Sequence, residues 1–227
     1  MIEKTCTAVI VAAGSASRMK GIDKTIAPIG GVPLILRTVQ AMACAQRITE
    51  ILIVTREDLI PEVSELCKGE PKVTQVIAGG STRSDSVIRG LEAAQGEMVA
   101  IQDGARPFVT AEIIDRTVAV AEEFGGAAPA IPVKDTIKVA EGNRVLGTPD
   151  RSTLFAVQTP QVFYRQVILQ ALTCCMEEGI PLTDDCSAAE VAGIPVILTE
   201  GSEENIKITT PMDLILGEAI LHRRSAT

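Results

Sequence analysis

Five short, mostly apolar runs constrain the fold most: Thr7–Ala12, Ile51–Val54, Val73–Ile77, Met98–Ile101 and Pro195–Leu198. Strands that bury both faces carry such runs, and they suit a parallel sheet covered by helices on each side. Helical signals separate them. Pro33 can open a helix whose Ile35, Val39 and Met42 share a face. Thr82-Arg83-Ser84-Asp85 has the form of a capping box and leads into Val87, Leu91 and Ala94 at helical spacing. Thr210-Pro211-Met212-Asp213 is another start, with proline at the first helical position. Strands alternating with helices predict a doubly wound α/β fold with a mostly parallel sheet. At 227 residues the simplest organisation is one domain spanning 1–227.

Residues 132–158 break this rhythm. Asp135–Val139, a Glu141-Gly142-Asn143 turn and Arg144–Leu146 read as a β-hairpin, and a second alternating run covers Thr153–Val157. On an α/β domain such a hairpin is either a projecting subunit-contact arm or an edge hairpin packed on its own domain. The residues alone leave both readings open.

Charge and composition narrow the function classes. The chain carries 29 acidic against 21 basic residues, a net charge of -8, and only 2% aromatics with no Trp. Nucleic-acid-binding domains present basic surfaces, and single-strand binders add aromatic stacking platforms, so that class is disfavoured. The single histidine, His222, excludes a multi-histidine metal site and a histidine triad in its usual place. Six cysteines at 6, 44, 67, 174, 175 and 186 form no Cys-x-x-Cys pair. They read as reduced thiols of a cytoplasmic protein. The N-terminal apolar run is too short for a signal-peptide core, and no stretch approaches a membrane span, so no membrane partner is expected.

The first run ends in Ala12-Ala13-Gly14-Ser15-Ala16-Ser17-Arg18-Met19. Small residues between a strand and a helix let backbone N–H groups approach an anion. The spacing fits neither the Walker A loop nor the dinucleotide fingerprint. What remains is either a phosphate loop with Arg18, Lys20 and Lys24 close behind, or a small-residue turn with a solvated basic face.

Further fragments follow in order. They are Lys24 before Pro28-Ile29-Gly30-Gly31, then Gly79-Gly80-x-x-Arg83-x-Asp85-Ser86, then Asp103-Gly104-Ala105-Arg106-Pro107. Pro132–Lys138, Thr159-Pro160-Gln161, Thr183-Asp184-Asp185 and Asn205–Thr209 complete the series. Together the set resembles the 2-C-methyl-D-erythritol 4-phosphate cytidylyltransferase family of non-mevalonate isoprenoid biosynthesis, over about residues 6–221. The resemblance implies a Rossmann-like α/β/α nucleotidyltransferase fold and a reaction in which CTP and a small polyol phosphate give the CDP-linked alcohol and pyrophosphate. It also implies a Mg²⁺ ion and a homodimer with shared active sites, whose arms at 132–158 interlock.

The same resemblance implies site roles. Ala12, Ala13, Gly14, Gly80, Ser86, Asp103 and Gly104 contact the nucleotide, and Asp103 also holds the metal. Arg18 and Lys24 stabilise charge at the α-phosphate and leaving group. Arg151 and Lys207 are catalytic as well, positioning the acceptor phosphate. Asp103, Thr159 and Thr183 add acceptor contacts, and Arg106 and Thr136 supply others from a partner subunit. Asp184 and Asp185 are adjacent and need not converge on one substrate, so at least one is expected at a helix N-terminus. His222, Arg223 and Arg224 are expected only to complement a helix dipole. The chain departs from the family pattern at Ala16, at Asp23-Lys24-Thr25 and at Ser81. Another acceptor such as ribitol 5-phosphate, or a non-catalytic nucleotide-sensing module, are the alternatives.

Overall fold

The first apolar run forms β1 (Cys6–Ala12) in the computed structural model, which describes residues 4–14 and 25–225. A small hairpin, β2 (Pro28–Ile29) and β3 (Val32–Pro33), leads into α1 (Leu34–Ala43). Then come β4 (Ile48–Thr55), α2 (Ile60–Cys67), β5 (Val73–Ala78), α3 (Arg83–Ala93) and β6 (Met98–Asp103). They are followed by α4 (Ala111–Phe124), β7 (Gly126–Pro132) and a separate hairpin of β8 (Val139–Glu141) and β9 (Arg144–Gly147). The order continues with β10 (Phe155–Val157), β11 (Gln161–Tyr164), α5 (Arg165–Glu177), α6 (Asp185–Val191), β12 (Ile197–Glu200) and α7 (Pro211–Ser225).

The main sheet runs β5-β4-β1-β6-β11-β7, with β10 and β12 both paired to β7. β5, β4, β1 and β6 are mutually parallel, as are β7 and β12. β11 runs antiparallel to both β6 and β7, and β10 is antiparallel to β7. The expected mostly parallel, doubly wound sheet is therefore present, with one reversed and interrupted strand inserted.

Alternation along β1 explains the two layers. Ala8 and Ile10 pack with Ile35, Val39 and Met42 of α1 and with Ile113 and Val118 of α4. Val9 faces the opposite cluster, with Val87 and Leu91 of α3 and Ile168 and Leu172 of α5. A third cluster lies under α7 and joins Ile29, Leu34, Ala105, Phe108, Ile208 and Ile220. It ties the β2–β3 hairpin to the loops that follow β6 and β12. β1 sits between β4 and β6, so successive connections leave it in opposite directions. Open α/β sheets bind ligands in the crevice beyond the carboxyl ends of strands at such a point.

Local details refine the sequence reading. The capping box forms: Thr82 Oγ1 accepts from the Asp85 N–H and the Asp85 side chain accepts from the Thr82 N–H. Pro211 occupies the first position of α7. Pro33 precedes α1 as its N-cap, because its ψ of 138° is extended. The last expected strand begins two residues later, at Ile197. Pro195 lacks the N–H that pairing needs. In the separate hairpin Glu141 pairs with Arg144, leaving Gly142-Asn143 as a two-residue turn with Gly142 at φ 55°. Asp135–Lys138 stays outside the strand, and Phe155–Val157 joins the main sheet instead of the hairpin.

All six cysteines are free, four of them buried, with Cys44 and Cys174 exposed. Burial pushes the Cys6 thiol up to about 12 and the Cys67 thiol to about 11, so both stay protonated. Among the described residues no helix is long and apolar enough to cross a membrane.

Candidate active site

β1 ends at Ala12 and β6 ends at Asp103, and the two strands pair in register up to Val11 and Asp103. Their ends open into a cleft of about 440 Å³. Ala12, Ala13 and Gly14 form one wall and Gly80 and Ser86 another, with Asp103, Gly104 and Lys207 also lining it. Backbone lies unusually close here. A Cβ on Gly104 would stand 2.8 Å from Cβ of Ala12 and 3.2 Å from the Val11 carbonyl. A Cβ on Gly79 would meet Ser86 Oγ at 2.7 Å and crowd Ala13. Glycine at these positions lets the chain approach the cleft without a side chain in the way.

Ser86 is buried in the first turn of α3. Its hydroxyl accepts from the Gly80 N–H at 3.0 Å and donates to the Thr82 carbonyl at 2.9 Å. It thus fixes the Gly80 backbone at the cleft wall.

Asp103 is 8% exposed and surrounded by cations. Lys207 Nζ lies 2.8 Å from Oδ2, Arg106 Nε 3.7 Å from Oδ2, and Arg83 Nη2 3.6 Å from Oδ1. Burial alone would raise the Asp103 pKa. The Lys207, Arg83 and Arg106 charges outweigh it and hold the carboxyl below the ordinary carboxylate value. The carboxylate is also anchored through its backbone, since the Asp103 N–H donates to Thr159 Oγ1 at 3.1 Å. Thr159 is itself buried, and its carbonyl accepts from Asn205 Nδ2 at 3.0 Å. Arg106 donates to the Asn205 carbonyl at 2.6 Å.

Arg83, at the first position of α3, is the residue whose role the sequence reading missed. Its guanidinium makes a bidentate pair with Asp185 at 2.9 and 2.8 Å. Burial opposes its charge, but Asp185 and Asp103 hold its pKa above the ordinary arginine value. A signal was present: a cation at a helix start opposes the macrodipole, so helix stability does not account for it. Asp184 caps α6, accepting from the Ser187 N–H at 2.9 Å, while the Asp185 side chain turns inward. The adjacent pair therefore divides, as the sequence suggested, with Asp184 at a helix N-terminus.

The remaining candidates spread outward. Arg151, exposed on a short 3-10 turn, donates to the Lys134 carbonyl at 2.8 Å. Thr136 is exposed near the hairpin, and Thr183 is exposed with its hydroxyl 2.8 Å from Ser187 Oγ. Neither they nor Arg151 line the cleft. Arg18 and Lys24 lie outside the described residues. Arg224, expected only to serve a helix dipole, instead reaches Glu204 Oε2 at 2.9 Å and the Phe108 carbonyl at 2.8 Å. Arg223 also pairs with Glu204. These contacts brace the two loops that carry Lys207 and Arg106.

A cleft at the switch point, walled by backbone and holding a carboxylate among three cations, suits a nucleotide and a second anion. The fold and site define a nucleotidyltransferase of the α/β type. Residues 6–223 match the family described as IspD, 2-C-methyl-D-erythritol 4-phosphate cytidylyltransferase. The enzyme of that name from Caldanaerobacter subterraneus subsp. tengcongensis is 42% identical over 228 residues, covering 96% of this chain and 99% of its own. The one from Geobacillus kaustophilus is 43% identical, covering 96% and 98%. Among solved structures, 4-diphosphocytidyl-2C-methyl-D-erythritol synthase from Anaerococcus prevotii superposes with a TM-score of 0.87 at 28% identity, covering 97% of each chain. The cytidylyltransferase from Thermus thermophilus gives 0.79 at 32% identity, covering 94% and 98%. The chain belongs to the 2-C-methyl-D-erythritol 4-phosphate cytidylyltransferase family.

Proposed function

We propose that this cleft joins CTP to 2-C-methyl-D-erythritol 4-phosphate, releasing pyrophosphate and 4-diphosphocytidyl-2-C-methyl-D-erythritol. Family membership over nearly the whole chain gives the reaction, and the cation-ringed Asp103 at the cleft is the observation that carries it. An acceptor phosphate oxygen attacks the α-phosphorus. The new P–O bond forms as the bond to the β-phosphate bridging oxygen breaks, and pyrophosphate takes the electron pair.

The nucleophile is already ionised near neutral pH, so no base is needed, and His222 is absent from the cleft lining. The obstacle is repulsion between two anions, and catalysis is positioning plus charge neutralisation. In this reading Ala12, Ala13, Gly14, Gly80, Ser86 and Gly104 seat the nucleotide. Lys207 leaves Asp103 to hold the acceptor phosphate, together with Arg151, while Thr159 and Thr183 add acceptor contacts. Arg18 and Lys24 follow the Gly14 loop and serve the phosphates and leaving group. Thr136, exposed near the hairpin, acts on the acceptor bound by a second copy, whereas Arg106, expected to do the same, is mostly buried beside its own chain's Asp103 and serves the acceptor there.

Magnesium fits this donor set as an ion that arrives with the triphosphate. Among the described residues no group of three or more His, Cys, Asp or Glu converges to cage a metal. Asp103 offers one carboxylate, and Mg²⁺ commonly takes one or two carboxylates plus substrate phosphates and waters. When bound, the ion neutralises phosphate charge.

The β8–β9 hairpin supports a homodimer built on projecting arms. Val139, Val145 and Leu146 are more than half exposed, and an isolated two-stranded hairpin is marginal in water. A second copy is the partner we assign to it, and the cytoplasm is the compartment we assign to the enzyme. Sedimentation of a Val145→Asp, Leu146→Asp variant tests the dimer: a monomer is expected, and an unchanged dimer counts against the arm.

The reaction is tested by pyrophosphate release with CTP, ATP, GTP and UTP against 2-C-methyl-D-erythritol 4-phosphate and ribitol 5-phosphate. Turnover is expected with CTP and the methylerythritol phosphate. Preference for ribitol phosphate would overturn the acceptor.

A further inference from the structure

We propose that Arg83 is a positioning residue that fixes the Asp103 carboxylate during turnover, and that Asp185 keeps it from engaging substrate itself. The role in turnover rests on the cytidylyl-transfer reading above.

Two of the cations around Asp103 differ in how they are held. Lys207 makes the shortest contact, 2.8 Å to Oδ2, but its side chain is 41% exposed and it sits on a loop. It is free to exchange Asp103 for a phosphate. Arg83 faces the other oxygen, Oδ1, at 3.6 Å, and swinging onto a phosphate would break its pair with Asp185. Both of its terminal nitrogens are occupied by Asp185 in a bidentate pair. The Asp185 side chain is 1% exposed, so an ionised carboxylate there requires a fixed cation. Asp185 is held in turn from the sheet. Gln161 Oε1 accepts from the N–H groups of Asp185 and Cys186 at 2.9 and 3.0 Å, and Gln161 is buried on β11. The line Gln161, Asp185, Arg83, Asp103 therefore runs from the sheet to the cleft.

This arrangement has a purpose once Lys207 moves. Asp103 then loses its closest partner. Arg106 remains 3.7 Å away, with its Nε lacking any hydrogen bond. Arg83 and Arg106 both stay put, but Arg106 faces Oδ2 and Arg83 faces Oδ1, so Arg83 keeps the carboxylate oriented while the phosphates are aligned.

Arg83→Lys retains one charge but cannot span Asp185 and Asp103 as a fork. Its kcat is expected to fall roughly 10²-fold, as for a displaced catalytic group, with KM for CTP and acceptor within about threefold. Asp185→Asn, which leaves Arg83 in place but unanchored, is expected to shift kcat in the same direction and serves if the lysine variant does not fold. An unchanged kcat in a folded variant overturns the proposal. So does a loss that appears wholly in KM, which would make Arg83 a substrate contact. A crystal structure of the ligand-free Arg83→Lys protein gives a readout without turnover: Asp103 is expected to rotate toward Lys207 and Arg106, and an unmoved carboxylate refutes the proposal. If the wild-type enzyme released no pyrophosphate with any acceptor, the cytidylyl-transfer reading would fail, while the Asp103 orientation would still decide the role of Arg83.

Discussion

Lys207 Nζ and Asp103 Oδ2 stand 2.8 Å apart at the cleft, one on the loop after β12 and the other at the end of β6. The partly exposed lysine is therefore parked on the one carboxylate that lines the cleft among the described residues. Lys207→Met removes the cation assigned to the acceptor but leaves Arg83 and Arg106 beside Asp103. Turnover is expected to fall by about 10²–10³, the usual effect of losing one charge-stabilising donor. Pyrophosphate release measures the loss, and an unchanged melting temperature separates it from unfolding.

Gly104→Ala places a methyl group 2.8 Å from Cβ of Ala12, across the joint between β1 and β6. Relief requires the backbone to move, at a cost of roughly 1–3 kcal/mol. The same movement shifts the nucleotide wall. Thermal melting is expected to show a drop of several degrees and steady-state kinetics a higher KM for CTP.

Arg224→Ala removes two contacts that brace the cleft from outside, to Glu204 and to the Phe108 carbonyl. Arg224 is partly exposed, so the expected loss is about 1–2 kcal/mol, discounted for solvent screening. Denaturant titration measures it. The kcat is expected to decline as well, because the Glu204 loop also carries Lys207.

Acid should act on Asp103 late. Its folded pKa lies below the ordinary value of 3.8, so its contribution to stability is complete above the unfolded pKa and is lost as pH falls through the folded one. Glu50 and Asp213 shift in the same direction against their own burial, through Thr7 and the Gln95 N–H and through the Thr209 and Thr210 N–H groups. Melting temperature is expected to hold from neutrality down to the ordinary carboxylate range and to fall below it. In Asp103→Asn the Asp103 share of that acid limb should disappear.

The central strands were legible because Ile51–Val54 and Met98–Ile101 are apolar on both faces, which physics permits only under two layers of helix. β7 was not. Gly126-Ala-Ala-Pro-Ala-Ile-Pro132 has one β-branched residue and two prolines, and its strand form is imposed by β10, β11 and β12 around it. Reversed β11 was equally silent, since four residues carry no direction. At the site, Asp103 and Lys207 were readable as a motif and meet in space. Arg83 stood in the quoted motif without a role, because its meaning lies in Asp185, 102 residues away. Arg224 looked like a helix-end cation, and its true partners belong to other loops.

The excursion that carries β8 and β9 leaves the sheet at Pro132 and rejoins it at Phe155, and these two residues face each other in register. The doorway is closed by the sheet itself, whatever hangs outside it. Doubling the length of such a detour adds only about 0.6 kcal/mol of closure entropy. Outside Thr136, Arg151 and the apolar residues assigned to the dimer, residues 133–154 can therefore be rewritten, trimmed or extended by evolution or by an engineer with little disturbance to the strands beneath, so the arm can change on a fixed chassis.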